Sequence, residues 1–235
     1  RSVAVTAVAM LAACGGGGGG GGGGFVGLPV TSSTVTLSGT ATYVSIPNPN
    51  GALAYGQAAP NPTPGASVEI VNGASAAVIA TATADANGAY SVSLAASIQV
   101  LVRIKAQMTQ GGSGATWDVT VRDNTQSDAI FALETPSFST GIAAITRDVQ
   151  APSGWDGSRY ASTRVAAPFA VLDTVYAAQA KMLSVAPATA FPALKLYWSA
   201  NNAPAVGNPA LGQIGTTSFT MSNGARAIYV LGKEN

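Results

Sequence analysis

The chain has 235 residues, eleven basic against ten acidic side chains for a formal charge of +1, and no histidine. Charged residues make up 9% of it, against a typical value of about 25%. No lysine or arginine cluster forms the basic stripe that a phosphate backbone requires, so nucleic acid is excluded as an expected partner. The absence of histidine removes the usual general base and the commonest metal ligand, and a single cysteine allows neither an internal disulfide nor a thiolate zinc cluster.

Arg1 is followed by the uncharged run SVAVTAVAMLAA, twelve residues long. A spanning helix needs about 20 apolar residues, so this run fits the h-region of a secretory signal. The start without methionine leads to the expectation that the chain is a fragment. Leu11-Ala12-Ala13-Cys14 resembles the bacterial lipobox. That resemblance implies cleavage between Ala13 and Cys14 and acylation of the Cys14 thiol. Residues 1–13 are then the lipoprotein signal peptide, and 14–32 the lipidated cysteine with its tether. One fatty chain anchors marginally, at about 0.8 kcal/mol per buried methylene, whereas a diacylglyceryl group is a stable anchor. The ten glycines from Gly15 to Gly24 act as a leash, separating their ends by roughly 16–19 Å as a flexible coil. Gly15 stands where inner-membrane lipoproteins of this class commonly carry aspartate, so the expected location is the bacterial envelope with the outer membrane favoured.

From Val35 the pattern turns to period two. TVTLSGTATYVSI, ASVEIV, AVIATATA and AYSVSLA alternate apolar with small polar residues, and QVLVRIKAQM and ATWDVTVRD supply two more strands. Asp85-Ala86-Asn87-Gly88 between two of these runs reads as a hairpin turn with Gly88 at positive φ. A calcium loop needs a third oxygen ligand and a distal glutamate that are missing here, so Asp85 and Asn87 read as turn residues. Trp117, Asp118, Arg122 and Asp123 read as strand-edge core and surface ion pairing. The insert PNPNGALAYGQAAPNPTP is expected as a surface loop. VTLSGTAT, PGASVEIV and TATADANGAYSVSL together resemble the carboxypeptidase regulatory-like (transthyretin-like) family. The resemblance implies an antiparallel β-sandwich over 33–123 that acts as a spacer or binding module, with no shared catalytic residue.

Residues 124–164 look irregular, with APSGWDGSRYAS the most loop-like part. In APFAVLDTVYAAQAKML, the residues Phe169, Leu172, Val175, Tyr176, Gln179, Met182 and Leu183 recur at helical spacing. Pro168 suits the first turn, and Pro187 ends the segment. ALKLYW follows as a strand with Leu194, Leu196 and Trp198 on one side, then the loop SANNAPAVGNPALG, then QIGTTSFTM and RAIYVLG. The fold class expected is therefore mainly β, a sandwich followed by a partial α+β unit with one helix over 124–235.

AAPFAVLDTVYAAQ, FPALKLYWSANNAP, IGTTSF and IYVLGKEN resemble the opening part of the zincin-like metallopeptidase domain of certain bacterial lipoproteins. The resemblance implies that a His-Glu-x-x-His helix holding zinc follows in a longer protein. No catalytic, cofactor-binding or metal residue is expected in this chain, which is read as truncated before that helix. It also implies that either IGTTSFTM or AIYVLG is a sheet edge receiving a substrate peptide, the alternative being plain core. The competing expectation is a non-enzymatic surface lipoprotein that binds glycan, peptide or envelope protein through its sandwich. In that case Trp155 and Tyr160 either stack on a sugar ring or plug a small core.

Overall fold

The computed structural model describes residues 33–233. Sixteen strands and one α-helix follow in chain order: β1 (Thr34–Ser45), β2 (Ala59–Pro62), β3 (Ser67–Asn72), β4 (Val78–Thr83), β5 (Ala89–Ala95), β6 (Gln99–Lys105), β7 (Gln107–Gln110), β8 (Trp117–Asp123), β9 (Ala129–Ile130), β10 (Ala132–Glu134), β11 (Phe138–Ser139), β12 (Ile145–Thr146), β13 (Val149–Ala151), α1 (Ala166–Leu183), β14 (Leu194–Trp198), β15 (Ser218–Ser222) and β16 (Ala225–Val230). The chain is mainly β, as its alternation predicts.

Two sheets form the β-sandwich. In the first, β1 pairs antiparallel with β5 along its first half and with β2 along its second, while β12 and β13 run parallel on its other side. In the second, β6 lies between β3 and the short strands β10 and β11, and β4 pairs with the far side of β3. Period two places Val35, Leu37, Ala41 and Tyr43 of β1 in one core with Val68, Ile70, Val100, Val102 and Ile104. Gly39 is required at the parallel junction, because any Cβ there would collide with the Arg147 carbonyl.

The third sheet is mixed, in the order β15, β16, β14, β8, β7, with β9 also on β8. β8 runs parallel to β14 and β14 to β16, while β15 and β7 are antiparallel to their neighbours. Parallel strands need a crossover, and α1 lies in the connection between β8 and β14. Phe169 and Leu172 of α1 are each 1% exposed and join the same core as the sandwich.

Several expectations are corrected. The Asp85–Gly88 turn joins strands of different sheets: β4 pairs with β3 and β5 with β1. It is a corner and not a hairpin, although Gly88 has φ 76° as expected. QVLVRIKAQM breaks at Ala106 into β6 of the sandwich and β7 of the mixed sheet. The boundary drawn at 123/124 falls inside shared sheets. β8 pairs with β14, whereas β10 to β13, from the stretch read as irregular, complete the two sandwich sheets. The proline-rich insert supplies β2, which tolerates Pro60 and Pro62 because it pairs on one side only. The helix ends at Leu183, before Pro187.

Candidate functional site

Ala13 and Cys14, the residues read as the signal cleavage and lipid attachment site, lie outside the described residues. Of the two segments read as a possible sheet edge, the structure separates them clearly. β16 lies between β15 and β14, whereas β15 ends the sheet and, among the described residues, pairs with β16 alone. The opposite end of the sheet, β7, packs against β3. β15 is therefore the open end.

The mixed sheet has two unlike faces. Thr120, Lys195, Ala227 and Thr220 stand in one cross-strand row, and Arg122, Tyr197, Tyr229 and Ser218 in the next, making the face away from α1 polar. On that face the Tyr197 and Tyr229 rings stack at 4.8 Å, and the Tyr197 hydroxyl donates to Asp128 Oδ2 at 3.1 Å. Burial, with the Asp128 carboxylate adding to it, pushes the Tyr197 phenol up to about 12. The face toward α1 is apolar except for Arg226, and on β15 it presents Phe219 and Met221, 60% and 62% exposed.

A crevice of about 480 Å³ opens beyond the carboxyl ends of β8 and β14, lined by Phe131, Tyr160, Arg164, Trp198, Asn201 and Lys233 among others. Such a position is where ligands of open α/β sheets bind. Its strongest groups are nonetheless engaged in the fold. The Arg164 guanidinium lies over Tyr160 at 5.0 Å and Trp198 at 5.4 Å and donates to the Gly232 carbonyl. Asp123 accepts from the Thr125 amide and hydroxyl.

The remaining sequence candidates are placed as follows. Asp85 Oδ1 accepts from the Asn87 and Ala89 amides at 2.8 and 2.9 Å, so its carboxylate closes the turn. Arg122 donates to Thr120 Oγ1 and to the Asp128 carbonyl. It makes none of the ion pairs found among the described residues, contrary to the surface pairing expected. β8, which carries it, is also an interior strand. Trp155 stacks on Tyr55 at 3.7 Å, and Tyr160 meets its edge at 5.2 Å. One face of the Trp155 ring is thus covered by Tyr55, a partner 100 residues upstream that no local pattern points to.

The zinc implied by the metallopeptidase resemblance does not fit these residues. No group of three or more His, Cys, Asp or Glu side chains converges among the described residues, and the sequence has no histidine. No described helix is long and apolar enough to cross a membrane.

No family model and no curated protein matches this chain. Among solved structures it is similar to two crystal structures of the shaft pilin SpaA from Lactobacillus rhamnosus GG, one of them a double mutant. The identity is 16% over 52% of this chain and 50% of the pilin chain, with TM-scores of 0.24 for the double mutant and 0.23. The chain thus spans about half the length of the pilin structures it matches. The pairing of the strands themselves defines the sandwich.

Proposed function

We propose that this chain is a lipid-anchored protein of the bacterial envelope and the non-catalytic amino-terminal portion of a zinc metallopeptidase, in which β15 receives an extended peptide as an added strand. One observation carries the reading: β15 pairs on one side only among the described residues, with Phe219 and Met221 exposed along it. An open edge presents a row of unpaired N–H and C=O groups. A peptide joins it through main-chain hydrogen bonds, and its alternating side chains provide selectivity. The sequence of α1 followed by β14, β15 and β16 agrees with the helix and strands that precede the zinc-binding helix in the family the sequence resembles. The sandwich strands act as the spacer between this edge and the bilayer, to which acylated Cys14 holds the chain. Any zinc of the proposed peptidase is assigned outside residues 33–233, since these residues do not fit it.

The test uses fluorescent ten-residue peptides of alternating valine and threonine, read by anisotropy. The unmodified peptide binds, and the same peptide N-methylated at every second residue, which removes its ladder donors, does not. Equal binding of the two, or binding of neither, ends the proposal for β15. Mass spectrometry of the protein from its native host tests the anchor separately: the account expects a polypeptide beginning at an acylated Cys14, and an unmodified thiol rejects that part alone.

A further inference from the structure

The crevice beyond the carboxyl ends of the mixed sheet is braced from below by one buried side chain. Asn202, 0% exposed, donates through Nδ2 to the Tyr197 and Val230 carbonyls at 3.3 and 2.9 Å. Its own carbonyl accepts from the Gly232 and Lys233 amides, and its Oδ1 accepts from Asn124 Nδ2 at 2.8 Å. The segments that leave β8, β14 and β16 are thereby tied together, and a satisfied polar network of this kind fixes the backbone that carries Asp123, Asn201 and Lys233.

The volume, about 480 Å³, falls within the ~300–1,000 Å³ usual for small-ligand sites. Two of the chain's eleven basic residues, Arg164 and Lys233, line it against a single acid, Asp123. None of the three takes part in an ion pair among the described residues. The rings of Tyr160 and Trp198 and the Gly232 carbonyl hold the Arg164 guanidinium in place. Of the five N–H donors of a guanidinium, one is spent on that carbonyl. A cation that is positioned but not neutralised is a pre-formed partner for a carboxylate, whose two oxygens match its fork. Asp123 accepts from Thr125 through Oδ1 and leaves Oδ2 without a donor among the described residues.

We propose that this crevice binds a uronic acid, a sugar whose carboxylate meets Arg164 and Lys233 and whose hydroxyls donate to Asp123 Oδ2 and reach the Asn201 amide. A bare anion would use the two cations but bring like charge toward Asp123, whereas a uronic acid offers hydroxyl donors there. Its ring also carries C–H faces, which suit the Phe131 and Trp198 rings in the same lining. The crevice lies at the strand ends, and no residue of β15 lines it. The inference is therefore independent of the peptide proposal and fails separately from it.

The probes are D-glucuronate and D-galacturonate, titrated into the folded protein by calorimetry. Three comparators accompany them: the neutral parent sugar, which lacks the charge; acetate, which lacks the ring; and N-acetyl-alanyl-alanine, which puts the carboxylate on a peptide. The better uronate is expected to bind on the order of tenfold tighter than each comparator, or more, and to weaken as salt screens the cations. Arg164→Gln weakens it about tenfold, and Lys233→Gln, at an exposed position, by roughly a few-fold. Asp123→Asn narrows the gap between uronate and acetate. Lys181→Gln makes the same charge change on α1 outside the crevice and leaves binding unchanged. Melting curves confirm that each variant folds; Arg164 also packs on two rings, so if its variant does not fold, Lys233→Gln and Asp123→Asn decide. Absence of uronate binding, equal binding of the neutral sugar or acetate, or a preference for the peptide would each overturn the proposal, the last in favour of a chain terminus as ligand. Binding that survives the Arg164 and Lys233 variants unchanged would overturn it as well.

Discussion

Gln179→Met should make the protein more stable. Gln179 sits on α1 at 7% exposure with its Oε1 lacking a donor, and a buried polar group without a partner costs about 1–3 kcal/mol. Methionine keeps the unbranched shape and nearly the same volume, so little strain enters. The two residues also have nearly equal helix propensity, which removes that contribution from the difference. The expected gain is therefore about 1–3 kcal/mol in the free protein. For a domain of this size each kcal/mol moves the midpoint by about 2–4 °C, so melting rises by roughly 2–12 °C. Urea unfolding should show the same gain as a higher midpoint with an unchanged slope, which marks a change in stability and not in compactness. A midpoint that stays put or falls would mean that the amide oxygen of Gln179 finds a donor in solution and carries no burial cost.

Phe169→Ala removes a ring that is 1% exposed in the core shared by α1 and both sandwich sheets and should cost about 3–5 kcal/mol in urea unfolding; a loss under 1 kcal/mol would place the helix loosely on the sheet. Gly39→Ala forces a methyl into the Arg147 carbonyl and should cost at or above the ~1–3 kcal/mol usual for overpacking, with amide exchange rising at residues 145–151; a neutral substitution would contradict the parallel pairing of β1. For Glu69, burial works against ionisation, but the hydrogen bonds and charges of Lys105 and Arg103 outweigh it and hold the carboxyl below its usual value. This network therefore stabilises the fold fully above the ordinary carboxylate range, and its contribution fades as pH falls through the lowered folded value. Urea midpoints measured from pH 6 downward should drop more steeply in the native protein than in Glu69→Gln, and parallel curves would dismiss the effect.

Much of the fold was legible where a segment is long enough to show its period. β1 is twelve residues long and alternates along most of its length, and the predicted spacing from Phe169 to Leu183 lies within α1. Leu196 and Trp198 share a buried face as predicted. What escaped was set by length or by distant partners. β9, β11 and β12 have two residues each, too few to display any period, and they exist because β8, β6 and β1 offer them a template. The Asp85–Gly88 turn carries the same local chemistry in a hairpin as in a corner, since Asp85 bonds to nearby amides in both; which sheet each flanking strand joins is decided by contacts tens of residues away. The helix stripe was correct as a pattern, but Met182 is 52% exposed. Periodicity marks an apolar face without saying what covers it. The edge likewise needed the structure, because IGTTSFTM and AIYVLG look alike as runs and differ only in their neighbours.

The proposed function depends on β15 being an edge that takes a peptide strand. Amide hydrogen exchange across residues 33–233, with and without a saturating alternating valine–threonine peptide, tests this most directly. The prediction is new protection concentrated at Ser218–Ser222, with the sandwich strands β3 and β6 unchanged. Protection that appears elsewhere, or none at β15 under saturating peptide, would contradict it.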